Sequence, residues 1–193
     1  MGALEITLLH LKPGTEAAQD SLLENLRSVR AQLNTNSRFY LDRGRPTSIF
    51  IFGLWPTMEA HKAFLASPEC GRILGPQEAQ TEFAWGLHVA DVSTMDDLPL
   101  DSKIMYLHLL EVQEAEEVAL DGALSHVLHK FERMVGDAGN PVVCKNALDA
   151  APGNVGRCVI HGNEELLEML ADVGRMCSDT AYSVWQLEDL EKI

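Results

Sequence analysis

The sequence predicts an α+β fold built from two tandem β-α-β-β-α-β units, and three observations lead to this prediction. Apolar strand patterns and helical stripes follow one another in that order over residues 3–92. The polar, acidic stretch at 93–103 then interrupts the pattern. After it the same order recurs, and a shift of 101 residues lays Thr7–Leu11 on His108–Val112. We therefore expect domains at 1–95 and 104–193, joined by a linker at 96–103.

The first unit is predicted from four strand patterns and two helical patterns. Pro13 and Gly14 turn the chain after an apolar strand at 3–11, and Thr15 is expected to cap the first helix. An apolar stripe with helical spacing follows, formed by Leu22, Leu23, Leu26, Val29 and Leu33. The remaining elements are strands at 37–46 and 48–55, a helix at 56–67 followed by a short irregular helical piece, and a strand at 81–92.

The second unit repeats this series after the linker. Its predicted elements are a strand at 104–112, a helix at 116–135, strands at 141–149 and 155–162, a helix at 163–177 and a strand at 181–190. Each unit would form a four-stranded antiparallel sheet with two helices on one face. Phe50 and Phe52 make the opposite face of the first sheet apolar as well, so the other repeat is expected to cover it.

The composition excludes several classes of function. A net charge of −14 argues against binding to nucleic acid or to an anionic membrane surface, where Lys and Arg must cluster. No apolar run has the length of about 18 residues that a transmembrane helix needs, and the N-terminus lacks the basic start of a signal peptide. The four cysteines are widely spaced, which favours free thiols and a cytoplasmic protein.

Cofactor motifs are also missing from the sequence. The stretch PGNVGR at 152–157 lacks the Lys-Ser/Thr of a phosphate-binding loop, and no haem ligand stands out. His126 and His129 have a spacing that metal ligands can use on a helix, but an exposed helix face is the simpler interpretation. We therefore expect neither a cofactor nor a metal.

Two stretches of the first unit carry a family resemblance: LHLKPGTE after the first strand, and FGLWPTMEAHKAFLASPE at the junction of strand and helix. The chain resembles the antibiotic-biosynthesis-monooxygenase-like family of the dimeric α+β barrel superfamily, in a tandem-repeat form of fungal type. The resemblance implies two ferredoxin-like repeats that form an intramolecular, pseudo-dimeric α+β barrel, either as a monomer with a pseudo-twofold axis or as a homodimer of such barrels. Trp55 should then pack over the start of the second helix, while Glu59 and His61 are expected in an exposed first helical turn.

The resemblance also implies a pocket between each sheet and its own helices. According to the resemblance, this pocket is lined by alternate residues of strands one, three and four and by one face of the first helix. The residues expected to contact substrate are Glu5, Arg27, Trp55, His88, Arg157 and Gln186. Of these, Glu5 and Arg27 can form an ion pair at the mouth of the first pocket.

His108 and His161 are the predicted catalytic residues, with Tyr106 assisting. They fall on neighbouring strands of the second repeat and should face one cavity. Histidine can exchange protons near neutral pH, and a tyrosine hydroxyl can hold a developing enolate oxygen. Because a buried polar group without a partner costs roughly 1–3 kcal/mol, we expect water or ligand beside them.

These residues predict an acid–base enzyme that needs no cofactor. Its predicted substrate is a small, apolar, oxygenated polyketide or terpenoid intermediate, and the reaction is a cyclisation, isomerisation or dehydration. Two alternatives remain open: a cofactor-free monooxygenase of phenols, and a non-catalytic small-molecule-binding or stress-response barrel. The fold by itself does not choose among them.

Overall fold

The computed structural model describes residues 2–135 and 141–187, and it confirms the α+β class with antiparallel strands. The strands are β1 (Ala3–Leu11), β2 (Arg38–Asp42), β3 (Ser48–Trp55), β4 (Thr81–Ala90), β5 (Met105–Gln113), β6 (Val143–Ala147), β7 (Asn154–His161) and β8 (Ser178–Gln186). The helices are α1 (Asp20–Leu33), α2 (Met58–Leu65), α3 (Glu69–Glu78), α4 (Glu117–Val135) and α5 (Glu164–Gly174). The predicted last strand continued to residue 190, and its part beyond 187 lies outside the described residues.

The chain divides into two compact units. Unit 1 contains the described residues up to Met95 together with those from Val184 onwards, and unit 2 contains the described residues from Asp96 to Ser183. None of the described helices combines the length and the apolar composition of a bilayer-spanning segment.

Unit 1 contains an antiparallel sheet with β1 at its centre. β1 pairs with β3 on one side and with β4 on the other, and β3 also pairs with β2. The free edge of β2 pairs with the end of β8, where Tyr40 lies opposite Gln186. A buried cluster joins α1 to β2 and β3, and it contains Leu22, Leu23, Leu26, Phe39, Leu41, Ile49 and Leu187. The apolar stripe of α1 thus packs on the sheet, as its spacing predicted.

Two local expectations for unit 1 require correction. Thr15 does not cap α1, because the helix begins at Asp20 and Gln19 occupies the N-cap position. The irregular helical piece after α2 is a ten-residue helix, α3, which tolerates Pro76 within its last turn. Both differences fall at helix ends and in turn-rich segments, where sequence patterns place element boundaries least well.

Unit 2 is built from an antiparallel sheet packed against two helices. β5 pairs with β7, β7 pairs with β6, and all these pairs are antiparallel. Side chains from these strands and from α4 and α5 form one buried cluster: Leu110, Val112, Leu120, Leu124, Phe131, Val159, Leu166, Leu170 and Val173. All four cysteines of the protein are free thiols, as predicted.

Asn163 shows how a single side chain starts a helix of unit 2. Its Oδ1 accepts hydrogen bonds from the backbone N–H groups of Glu165 and Leu166 at 2.7 and 3.4 Å. We expect Asn163→Ala to lower the free energy of unfolding by about 1 kcal/mol, because these donors lose their partner. Chemical denaturation measures this change. Asn163→Asp keeps the acceptor and should stay close to wild type, so equal losses in both variants would contradict the capping role.

Candidate functional site

A cavity of about 420 Å³ lies in unit 1 between the sheet and its helices, where the sequence analysis expected a pocket. Alternate residues of β1 point into it because successive side chains of a strand face opposite sides. The apolar part of the lining consists of Leu9, Val29, Leu33, Phe39, Ile51, Phe64, Leu65, Leu74 and Phe83. Such a volume is within the range of roughly 300–1,000 Å³ that is common for small-molecule sites.

Two glycines line the cavity, Gly53 on β3 and Gly86 on β4, and their surroundings differ. A methyl group added at Gly53 would meet Ser37 Oγ at 3.0 Å, so this position is tightly packed. A methyl group added at Gly86 would meet the ring of Phe83 at 3.6 Å and Thr7 Oγ1 at 4.0 Å, which are ordinary contact distances. A larger side chain at Gly86 would therefore extend past these contacts into the cavity.

One end of the cavity carries a polar cluster formed by Glu5 on β1, His61 on α2 and His88 on β4. His61 Nδ1 and His88 Nε2 lie 2.8 Å apart and share a hydrogen bond. His61 Nε2 lies 3.6 Å from Glu5 Oε1. The carboxylate and the two imidazoles therefore form a series, which we call the Glu5–His61–His88 cluster.

Neighbouring side chains fix the orientation of this cluster. The indole Nε1–H of Trp55 donates to Glu5 Oε2 at 2.6 Å, and the hydroxyl of Thr7 donates to Glu5 Oε1 at 3.0 Å. The ring of Trp55 also stacks on the ring of His61, with centroids 4.5 Å apart. The acidic group and the central imidazole are thus held from two sides, which limits the rotamers that either can adopt.

His61 corrects one expectation from the sequence. It was expected in an exposed first turn of a helix, but its side chain is buried, with only 4% of the residue exposed. The signal was present in the spacing, because Phe64 and Leu65 follow it at i+3 and i+4 and line the same cavity. These three residues form the face of α2 that turns toward the sheet.

The other unit 1 residues predicted to contact substrate have different positions. Glu5, Trp55 and His88 all line the cavity, and Trp55 packs over the start of α2 as predicted. Arg27 lies on α1, whereas the residues of α1 that line the cavity are Val29, Arg30 and Leu33. The carboxylate of Glu5 is held by Trp55, Thr7 and His61 rather than by Arg27.

Unit 2 brings its three predicted catalytic residues together. The rings of His108 and His161 are stacked with centroids 5.4 Å apart, and the ring of Tyr106 stacks on His161 at 5.2 Å. His108 is 2% exposed and His161 is 0% exposed. Within the described part of the chain, both ring nitrogens of His108 and Nε2 of His161 have no hydrogen-bond partner. The three rings thus form a closely packed stack, in which His108 Nδ1 lies 3.5 Å from Asp179 Oδ2 and His161 Nδ1 accepts from the backbone N–H of Asn163 at 3.3 Å.

Burial changes the acid–base properties of both histidines. Loss of solvation lowers the pKa of His161 to about 4, and the neighbouring His108 acts in the same direction. Burial also lowers the pKa of His108, although the Asp179 carboxylate 3.5 Å from its Nδ1 opposes the change. Burial therefore favours the neutral form of both imidazoles.

Arg157 and Gln186 occupy separate positions in the two units. The Arg157 guanidinium in unit 2 is held by Glu117 at 2.7 Å and by both carboxylate oxygens of Asp121 at 2.9 Å. These carboxylates on α4 raise the pKa of Arg157, with the hydrogen bonds to Asp121 the main cause. Gln186 belongs to unit 1, where it lies opposite Tyr40 on the edge of β2.

Comparison with known proteins identifies solved structures that have a similar fold. No family model and no curated protein matches the sequence. A solved structure from Fusobacterium nucleatum, provisionally named a monooxygenase, has a TM-score of 0.63 at 6% identity, covering 96% of this chain and 92% of its own. A similarly named protein from Lactobacillus acidophilus scores 0.58 at 12% identity and covers 96% and 94%.

A third similar structure has a different name. A chlorite dismutase from Candidatus Nitrospira defluvii, solved as a mutant, scores 0.59 at 13% identity, covering 99% of this chain and 94% of its own. Identities this low establish a shared α+β fold and nothing about the reaction, because one fold hosts many chemistries. The function must therefore be argued from the residues of the site.

Proposed function

We propose that this protein is an enzyme that binds a small, largely apolar, oxygenated molecule in the unit 1 cavity and moves a proton on it. The observation that carries the proposal is the Glu5–His61–His88 cluster at the polar end of an otherwise apolar cavity. The reaction class is the one that the sequence predicted: cyclisation, isomerisation or dehydration of a polyketide-like or terpenoid-like intermediate.

The cluster can act first as a base and then as an acid. Two imidazoles that share one hydrogen bond can pass a proton between their rings, and an imidazole can accept a proton from a carbon beside a carbonyl. The positive charge that the two imidazoles then share through their hydrogen bond would be stabilised by the Glu5 carboxylate, whose Oε1 lies 3.6 Å from His61 Nε2. Return of the same proton to another atom of the substrate completes an isomerisation or cyclisation, with no net change in protons.

The surroundings suit this role. Thr7 and Trp55 both donate to Glu5, which keeps its carboxylate directed at the imidazole. Arg30 also lines the cavity, where its guanidinium donates to the Ser37 carbonyl at 3.2 Å and lies over the ring of Phe39. A fixed positive charge at the cavity wall favours a ligand oxygen that gains negative charge during proton transfer.

Two further candidates remain proposals. The same cavity could serve a cofactor-free oxygenase, and the names of the Fusobacterium and Lactobacillus structures favour testing this. A catalytic role for His108, His161 and Tyr106 is the other candidate, supported by the imidazole nitrogens that lack partners among the described residues. The family membership, the ferredoxin-like tandem repeat, the domain limits and the cytoplasmic location stay predictions from the sequence.

The experiment that tests the proposal compares product masses. Protein freed of metal and kept in chelator is incubated with polyketide and terpenoid intermediates, with and without oxygen. We expect a product of unchanged mass, or one that has lost water, in both atmospheres. A product that has gained oxygen only in air would establish the oxygenase instead. Binding without any product would overturn the enzyme in favour of a carrier.

The cavity itself can be tested by filling it. A Leu side chain at Gly86 extends from the sheet into the open space, so we expect Gly86→Leu to weaken binding of the fluorescent probe anilinonaphthalene sulfonate by about tenfold or more. Fluorescence titration measures this affinity. Gly71→Leu is the matched control, because Gly71 is exposed on α3 with open space around it. Equal affinities of the two variants would show that the probe binds elsewhere.

A further inference from the structure

The Glu5–His61–His88 cluster also has the composition of a metal site. One nitrogen of each imidazole and one oxygen of the carboxylate lie within 4.8 Å of one another. We propose that these three residues bind one divalent first-row transition metal ion of the Zn²⁺ class. This inference goes beyond the proposed proton transfer and does not depend on it.

The donor set selects the kind of ion. Two imidazole nitrogens and one carboxylate oxygen suit zinc, iron, cobalt or nickel, whereas magnesium and calcium prefer oxygen donors alone. Three protein ligands also leave at least one coordination position open. Because all three residues line the unit 1 cavity, the open position would be accessible to an oxygen atom of a ligand there.

Metal binding requires a change in the geometry of the cluster. Two nitrogens bound to one zinc ion at about 2.1 Å lie roughly 3–3.5 Å apart. His61 now faces His88 with its Nδ1, 2.8 Å from His88 Nε2, and faces Glu5 with its Nε2, 3.6 Å from Glu5 Oε1. One ion can take only one nitrogen of His61, so binding requires loss of the shared hydrogen bond and side-chain rotations that draw together three donors now within 4.8 Å of one another.

A second layer of residues is already in place to support the ligands. The carboxylate of Glu5 accepts hydrogen bonds from Trp55 and Thr7, and the ring of His61 is stacked on Trp55. Metal sites in proteins use such outer hydrogen bonds to orient their ligands, and their loss typically lowers affinity by about 10- to 100-fold. Trp55 is therefore a positioning residue for the ion.

Metal and proton compete for the same imidazole nitrogens. A bound ion occupies the nitrogen lone pairs that would accept the proton, so the ligated imidazoles can no longer act as bases. The ion also places a positive charge beside the cavity. The two proposals can be separated because binding is measured on the protein alone, while proton transfer is measured in chelator. If either metal binding or proton transfer fails its test, the other proposal is unaffected.

The test uses the full chain after treatment with chelator and desalting. Titration with Zn²⁺ is followed by calorimetry, and titration with Co²⁺ is followed by its visible absorption. We expect one equivalent to bind, with affinity reduced about 100-fold or more in Glu5→Gln and His88→Gln. Trp55→Phe keeps the stacked ring but removes the hydrogen-bond donor to Glu5, so its affinity for the ion should fall about 10-fold.

Matched controls distinguish this site from adventitious binding. Trp85→Phe makes the same change at a residue whose ring packs against Phe50, and it should leave affinity unchanged. His129→Gln removes an exposed imidazole that lies beside Glu132 on α4, and it should also have no effect. Circular dichroism checks that each variant is folded. Loss of binding in His129→Gln but not in His88→Gln, or no binding by the wild type, would overturn the proposal.

Discussion

Replacement of His61 by Gln is expected to lower turnover by metal-free protein about 100-fold or more. His61 is the central member of the Glu5–His61–His88 cluster, with Glu5 at one ring nitrogen and His88 at the other. An amide can occupy the same space and hydrogen-bond, but it cannot take up a proton near neutral pH. General acid–base groups typically contribute about 10²–10⁴-fold to a rate. Steady-state kinetics on the substrate found by mass comparison measures the loss.

The control for this variant is His10→Gln. His10 lies on β1, the strand that carries Glu5, but its Nδ1 is bonded to Ser48 Oγ at 3.1 Å and it does not line the cavity. We expect its turnover to match the wild type. In His61→Gln the decrease should fall on kcat, while probe affinity changes little. Wild-type turnover in His61→Gln would show that the cluster takes no part in the reaction. The histidines of unit 2 would then be the candidates to test.

Unit 2 is expected to lose stability as the pH falls from about 6.5 to about 4. The pKa of His161 is lowered to about 4 in the folded protein by burial, against an ordinary value of 6.5. Between these values the unfolded chain binds more protons than the folded one, so acidification favours unfolding. A difference of this size corresponds to about 3 kcal/mol. His108 acts in the same direction because burial lowers its pKa too.

Denaturation at a series of pH values, with wild type and His161→Phe compared, isolates this effect from titrating carboxylates. Phe has a similar shape and can keep the stacked contacts with Tyr106 and His108, but it does not titrate. Over this pH range, we expect the free energy of unfolding of the variant to fall by about 3 kcal/mol less than that of the wild type. His129→Phe alters an exposed imidazole and should retain the wild-type slope. Parallel pH profiles of wild type and His161→Phe would mean that His161 is hydrated.

The strands show how far sequence periodicity reaches. Glu5 and His88 were predicted to face the pocket of the first unit, and both line the unit 1 cavity together with Thr7, Gly53 and Gly86. This succeeds because side chains alternate along a strand, so one correct position fixes the others. The same property placed Leu110 and Val159 on the helix-facing side of the second sheet, where they belong to its buried cluster.

The site was harder to predict than the strands. His61 was assigned to an exposed turn because Glu59 beside it is of the kind favoured at a helix N-terminus, whereas the observed helix of eight residues buries the His61 side chain. The partners of Glu5 are also distant in sequence, since Trp55 and His61 lie 50 and more residues away from it. No local pattern encodes which of several candidate partners a carboxylate will meet.

The sequence by itself determined the α+β class and the order of strands and helices, while the face of each strand that turns toward the helices was implied by the family resemblance. The class and the order follow from local periodicity and turn chemistry, which act over a few residues. The tertiary structure alone decided where the unit 1 cavity lies and which side chains meet in it. In unit 1, the cavity lies beside the Glu5–His61–His88 cluster and is lined in part by Gly86. In unit 2, aliphatic side chains of strands and helices form one buried cluster. The physical reason is that a cavity depends on the summed volumes of side chains brought together from distant parts of the chain.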